Sequence, residues 1–197
     1  MPVTAPAPQP YAFHIGMVVH DLDASARRFD QLLGAMRWHT WELPLQALPT
    51  NPRTTDARLR IAYGRMPGQT IELIEVLEGT PVHRLFLEAR GEGVQHLGVW
   101  VPDVAEATAA AIARGGQVML ALLRPDGTAA VQLSPGSSDA DLAAAVEPGG
   151  IAYVEAGTAG IAIEFVGAAR LPGLRRRFGD DFERIIGTPD WLEEARR

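Results

Sequence analysis

The chain has 197 residues, 47% of them hydrophobic, and a formal net charge of −6. That is enough for one well-buried domain, or for two small modules sharing a core, and the acidic balance argues against general nucleic-acid binding. There is no Cys, which excludes disulfides, thiol nucleophiles and Cys-ligated metals; all 18 basic residues are Arg, which excludes lysine Schiff-base chemistry and a P-loop lysine.

The first residues, Met1 to Pro10, are rich in Pro and Ala and read as a disordered arm. They carry neither the basic segment nor the apolar stretch of a signal peptide. No apolar run approaches the roughly 20 residues that span a bilayer. A cytoplasmic protein with no membrane or nucleic-acid partner is expected.

Phe13 to His20 is a short apolar run of strand type, and Asp21 or Asp23 can cap the helix that follows, which Gly34 ends. Met36 to Leu43 predicts a second strand, and the prolines at 44, 49 and 52 mark a loop. Leu59 to Arg65 and Gln69 to Val76 predict two more strands, giving a βαβββ unit. A helix over 80–91 follows, with Thr80 as cap and Pro81 at its first position. The order then repeats: strand Val94 to Val101, helix Val104 to Arg114, strands Gln117 to Leu123, Ile151 to Glu155 and Gly160 to Val166. Ala129 to Leu133 can add a further strand piece, and 134–150, rich in Pro, Gly, Ser and Asp, reads as an insertion, either a lid or a surface loop. The tail over 169–197 is helical in pattern, with Phe178, Phe182, Ile185, Ile186 and Trp191 able to dock it; Arg175 to Arg177 read as a solvated face.

The second unit is a copy of the first. Phe13-His14-Ile15-Gly16-Met17-Val18-Val19-His20-Asp21-Leu22 matches Gln95-His96-Leu97-Gly98-Val99-Trp100-Val101-Pro102-Asp103-Val104 without a gap, at an offset of 82. Ile71-Glu72-Leu73 matches Ile163-Glu164-Phe165 at an offset of 92, so the copy has gained about ten residues. Each unit thus carries one His on its first strand and one Glu on its last. A Glu flanked by apolar residues on a strand is costly to bury without a partner. Two imidazoles and two carboxylates related by duplication are expected to converge near the pseudo-twofold axis, where they suit a divalent ion: Zn, Ni, Co, Mn or Fe(II). The glycines two residues after each His are expected to leave room beside the ion. His20, His39 and His83 have no counterpart in the other unit and read as ordinary surface or strand-end residues.

These motifs, with the intervening GTPVHRLFLEARGEGVQHLG, resemble the vicinal oxygen chelate superfamily, and within it the glyoxalase I and methylmalonyl-CoA epimerase-like branch. The resemblance implies an α+β fold: one domain over 11–168, in which tandem βαβββ modules (11–79 and 94–168, joined by the helix) form a curved half-barrel sheet around a metal site, commonly in a homodimer. It implies His14, Glu72, His96 and Glu164 as metal ligands. It also implies a metal-dependent isomerase, epimerase or lyase that removes a proton next to a carbonyl of a small substrate, with the enolate stabilised by the ion. Glu164 is the first choice of base and Glu72 the second. Arg60 stands where epimerase-like members can carry an acidic residue. It either faces the site, suiting an anionic substrate, or lies on the solvent side of its strand. Trp100 shares the face of His96 and either walls the pocket or packs in the core. Two other readings of the same fold are an Fe(II) extradiol-type dioxygenase, which uses two His and one Glu, and a non-catalytic binding or resistance protein, which often lacks the ligands.

Overall fold

A computed structural model of the chain describes residues 10–46, 51–66, 69–122, 137–138, 140–141, 143, 146, 150–155 and 160–186. The expected arm up to residue 9, the Ala129 to Leu133 piece, most of the 134–150 insertion and Trp191 lie outside these residues.

Two copies of one local plan build the sheet. Strand β1 (Tyr11–Val19) leads into helix α1 (Leu22–Leu33), and β5 (Gly93–Val101) into α3 (Val104–Ala113). Each helix starts on the same device: Asp21 accepts from the backbone N–H of Ala24 at 2.8 Å, and Asp103 from that of Glu106 at 3.0 Å. Strands β2 (His39–Leu45), β3 (Ala57–Met66) and β4 (Gln69–Glu78) complete the first copy; β6 (Gln117–Leu122), β7 (Ile151–Glu155) and β8 (Ala162–Gly167) complete the second. Strand β2 starts three residues later than its sequence suggests, because Met36 N and Trp38 Nε1 are both held by the Asp30 carboxylate beyond α1. Between the copies, α2 (Val82–Arg90) starts after Pro81 with no side-chain cap, so Thr80 does not play that part.

The eight strands form one curled half-barrel sheet in the order β2-β3-β4-β1-β5-β8-β7-β6. The two copies meet at β1 and β5, which run antiparallel, while β1 pairs β4 and β5 pairs β8 in parallel. Alternation along the strands separates two faces. Ile71 and Leu73 of β4 pack outward with Leu22 and Ala26 of α1. Val99 and Val101 of β5 pack outward with Val104 of α3. Ile74 of β4, Tyr63 of β3 and Val166 of β8 point to the concave side.

The concave side is closed by the end of the chain. Helix α4 (Leu171–Phe178) and the short helix α5 (Phe182–Ile186) bury Phe178, Phe182, Ile185 and Ile186 in the main core with Phe13, Tyr63 and Trp100. The expected docking of the tail therefore holds for these four side chains. A hydrogen bond from Thr70 Oγ1 to the Ile185 carbonyl, with Ile185 fully buried, anchors the last turn. Among the described residues no helix is long and apolar enough to cross a membrane.

Candidate metal centre

The pairing of β1 with β5 makes the site. His14 lies opposite Gly98, and Gly16 opposite His96. Ala12 pairs with Val99 and His14 with Gly98, so Phe13 is an extra residue on β1; Gly16 pairs with His96 and Met17 with Val94, so Gln95 is the extra residue on β5. These two bulges fall at equivalent places of the repeat and re-aim the histidine that follows each. A Cβ built on Gly16 would overlap the His96 ring, and one built on Gly98 would overlap the His14 ring. The glycines thus make room for the opposing imidazole rather than for the ion itself.

Both imidazoles and both carboxylates, from β1, β4, β5 and β8, meet at one point. His14, Glu72, His96 and Glu164 are all buried, and one ligand atom from each lies within 4.8 Å of the others. His14 Nε2 is 3.0 Å from His96 Nε2, 3.1 Å from a Glu72 oxygen and 2.9 Å from a Glu164 oxygen. His96 Nε2 is 2.9 Å from Glu72 and 3.4 Å from Glu164. An ion with ligand atoms at about 2.1 Å and at right angles holds neighbouring ligand atoms about 3.0 Å apart. Four of the separations, at 2.9–3.1 Å, match such edges and a fifth, at 3.4 Å, is slightly longer, so the donor set fits a single divalent ion.

The electrostatics agree. Burial opposes charge on His14, yet Glu72 and Glu164 outweigh it and raise its pKa to about 9. His96 is raised in the same way against its burial. Burial would raise both carboxyls, but the facing imidazoles, His14 foremost, hold Glu72 and Glu164 below the usual carboxylate range. Four such groups share protons tightly, and a divalent cation can replace those protons.

The supports of the two histidines differ. The Gln95 side-chain oxygen Oε1 accepts from His96 Nδ1 at 2.8 Å, which turns Nε2 to the cluster. The equivalent neighbour of His14 is the edge of Phe13, at 4.4 Å between centroids, and His14 Nδ1 has no partner among the described residues.

Above the cluster lies a cavity of about 100 Å³. Its floor includes Glu72 and Glu164, and its walls include Leu59, Ile61, Ile74 and Val166. Tyr63 and Tyr153 stand in it as a second repeat-related pair, opposite Glu72 and Glu164 on the neighbouring strands. The Tyr153 hydroxyl reaches to 3.5 Å from His96 Nε2. Burial first, then the carboxylates, pushes both phenols well above their ordinary value, so both stay neutral. The tripeptide Ile-Ala-Tyr at 61–63 recurs at 151–153, and this signal in the sequence could have identified the pair.

Other expectations need correction. His83, read as an ordinary surface residue, is buried, lines the cavity beside Tyr153 and has no hydrogen-bond partner on either nitrogen among the described residues. Burial, with His96 second, depresses its pKa to about 4. His39 holds Asp181 of the tail at 3.2 Å. Arg60 lies on the outer face, bonded to both oxygens of Asp23 at 2.8 and 2.9 Å, and is not brought to the cavity. Strand alternation decides this: Leu59, Ile61 and Tyr63 take the inner positions. Trp100 does not wall the cavity; it is fully buried behind Phe13 and stacks on it at 4.5 Å. The cavity instead acquires Arg170 and Arg177 from the end of the chain, which lies beyond the repeat and carries no motif.

Comparison with known proteins agrees with this architecture. No curated protein matches the sequence. Among solved structures, a hypothetical protein from Bacillus halodurans C-125 is 20% identical, with a TM-score of 0.51 over 81% of this chain and 95% of that one. Methylmalonyl-CoA epimerase from Mycobacterium tuberculosis is 22% identical, with a TM-score of 0.49 over 84% and 93%. A variant of 4-hydroxymandelate synthase from Streptomyces coelicolor is 16% identical, with a TM-score of 0.48 over 85% of this chain and 52% of that one. At 20% identity the first of these likenesses speaks for the fold alone. Residues 13–131, more than half of the chain, match the sequence model of one family, and the chain belongs to it: the Glyoxalase/Bleomycin resistance protein/Dioxygenase superfamily.

Proposed function

We propose that the chain is a metal-dependent enzyme that moves a proton next to a carbonyl of a small substrate, as isomerases, epimerases and lyases do. The observation that carries this is the meeting of His14, Glu72, His96 and Glu164 at separations suited to one divalent ion. Those four residues would hold Zn, Ni, Co or Mn, which when bound would supply Lewis-acid polarisation of a substrate carbonyl. Glu164 is the carboxylate assigned to take the proton, with Glu72 as the second choice, since both lie on the cavity floor. Tyr63 and Tyr153 keep their protons and present neutral hydroxyls. The apolar walls limit the water that reaches the reacting carbon. The third strand offers Leu59, Ile61 and Tyr63 to the cavity and no further carboxylate. A one-base isomerase or lyase is therefore a closer fit than an epimerase with two opposed bases.

Metal titration of the purified chain tests the first half of this reading: one ion per chain is expected, lost in His14→Ala and in Glu72→Gln. Solvent deuterium entering the α-carbon of a panel of 2-substituted acyl thioesters, followed by NMR, tests the second half. Exchange is expected with the metal-loaded chain and not with Glu164→Gln; undiminished exchange in that variant removes Glu164 as the base. Iron content together with catechol turnover would favour the dioxygenase reading instead.

A further inference from the structure

The described arginines differ in what holds them. Arg37, Arg58, Arg60 and Arg175 each pair a carboxylate, and Arg84, Arg90 and Arg114 each donate to a backbone carbonyl. Arg27, Arg28, Arg53, Arg170, Arg176 and Arg177 do neither among the described residues, and of these only Arg170 and Arg177 line the cavity. Arg170 is half-buried at the turn that follows β8, six residues after Glu164. Arg177 is exposed at the mouth, its guanidinium 4.7 Å above the Trp41 ring, which holds it over the opening. Burial weakens the charge on Arg170, Glu164 and Tyr63 favour it, and Arg177 opposes it.

Charge balance gives this pair a purpose, provided the metal reading above is right. A divalent ion would neutralise Glu72 and Glu164, leaving two guanidiniums facing a largely apolar cavity with no other carboxylate lining it among the described residues. We propose that Arg170 and Arg177 bind a carboxylate carried by the substrate, at the end away from the oxygens that meet the ion. The substrate class is then a carbonyl compound with a distal carboxylate, and the α4 segment acts as its specificity element. Arginine suits this role because its planar fork pairs both carboxylate oxygens. The anionic preference that the sequence suggested through Arg60 thus moves to two residues that the repeat does not contain.

The test uses two chelators of equal carbon-chain length, succinate monohydroxamate and butyrohydroxamate, which share a head with two adjacent oxygens and differ in the distal carboxylate. Calorimetric titration of the Co(II)-loaded chain is expected to show the first binding at least about tenfold tighter, the size of a charge-assisted hydrogen bond. In Arg170→Gln and Arg177→Gln the preference is expected to shrink, and in the double variant to vanish. Butyrohydroxamate affinity, the cobalt absorption spectrum and the melting temperature should stay unchanged, and Arg170→Lys should restore part of the preference. Equal binding of the two chelators, or a preference that survives the double variant, overturns the proposal. If cobalt does not bind, the metal reading fails separately. The guanidinium pair is then tested on the metal-free chain with glutarate against glutaramide, where loss of a glutarate preference in the double variant supports it and absence of that preference overturns it.

Discussion

Gly98→Ala tests the central feature of the fold, the seating of each imidazole on a glycine of the opposite copy. A Cβ at 98 would overlap Cε1, Nδ1 and Nε2 of His14. The ring cannot retreat: it is fully buried, with Phe13 at 4.4 Å, Tyr63 at 5.3 Å and His96 at 5.1 Å between centroids. The φ of Gly98 is not in the left-handed region, so the cost is steric rather than conformational. Overpacking of this kind costs about 1–3 kcal/mol. In a domain of this size that lowers the melting temperature by about 2–12 °C. Divalent-ion affinity should fall further, about 10–100-fold, because a ligand is turned away from its partners. Gly173→Ala is the control: it lies in α4, its nearest atom is the end of the Arg176 side chain at 3.9 Å, and alanine there should be neutral or stabilising by up to about 1 kcal/mol. Thermal melts and Co(II) titration read both effects. A Gly98→Ala protein that melts and binds cobalt like the parent would refute the register of β1 against β5, and with it the convergence of the four ligands.

Gly16→Ala should behave like Gly98→Ala, since its Cβ meets the His96 ring, and the same two assays check it. His83 is neutral and buried, with its pKa depressed from 6.5 to about 4, so its contribution is full above pH 6.5 and is lost as pH falls through 4. Over that window the parent should lose about 3 kcal/mol that His83→Leu does not lose, measured as urea unfolding free energy against pH. Arg60→Gln should leave cobalt and hydroxamate binding unchanged and cost less than about 1 kcal/mol, because its pairing with Asp23 is on the surface. Loss of binding in that variant would return Arg60 to the site. Ile185→Ala should cost about 2–5 kcal/mol in a denaturant melt, since the side chain is fully buried in the main core.

By itself the sequence determined what duplication and alternation can encode. The matched His and Glu of each copy, the repeat-matched Asp21 and Asp103, and the βαβββ order are local patterns, and each one appears in the structure where the repeat places it; of the two candidate caps Asp21 and Asp23, the structure uses Asp21. Tyr63 and Tyr153 were equally legible, in the repeated Ile-Ala-Tyr. Tertiary structure alone decided the rest. Whether Arg60 faced the cavity depended on strand phase, and one residue of phase exchanges inside for outside. Whether Trp100 walled the site depended on the Phe13 bulge, which sets a ring in front of it. His83, Arg170 and Arg177 reach the cavity through α2 and the chain's end, segments without a counterpart in the repeat, so no local pattern marks them. Their place at the cavity comes from long-range packing, which brings together residues that the chain order keeps far apart.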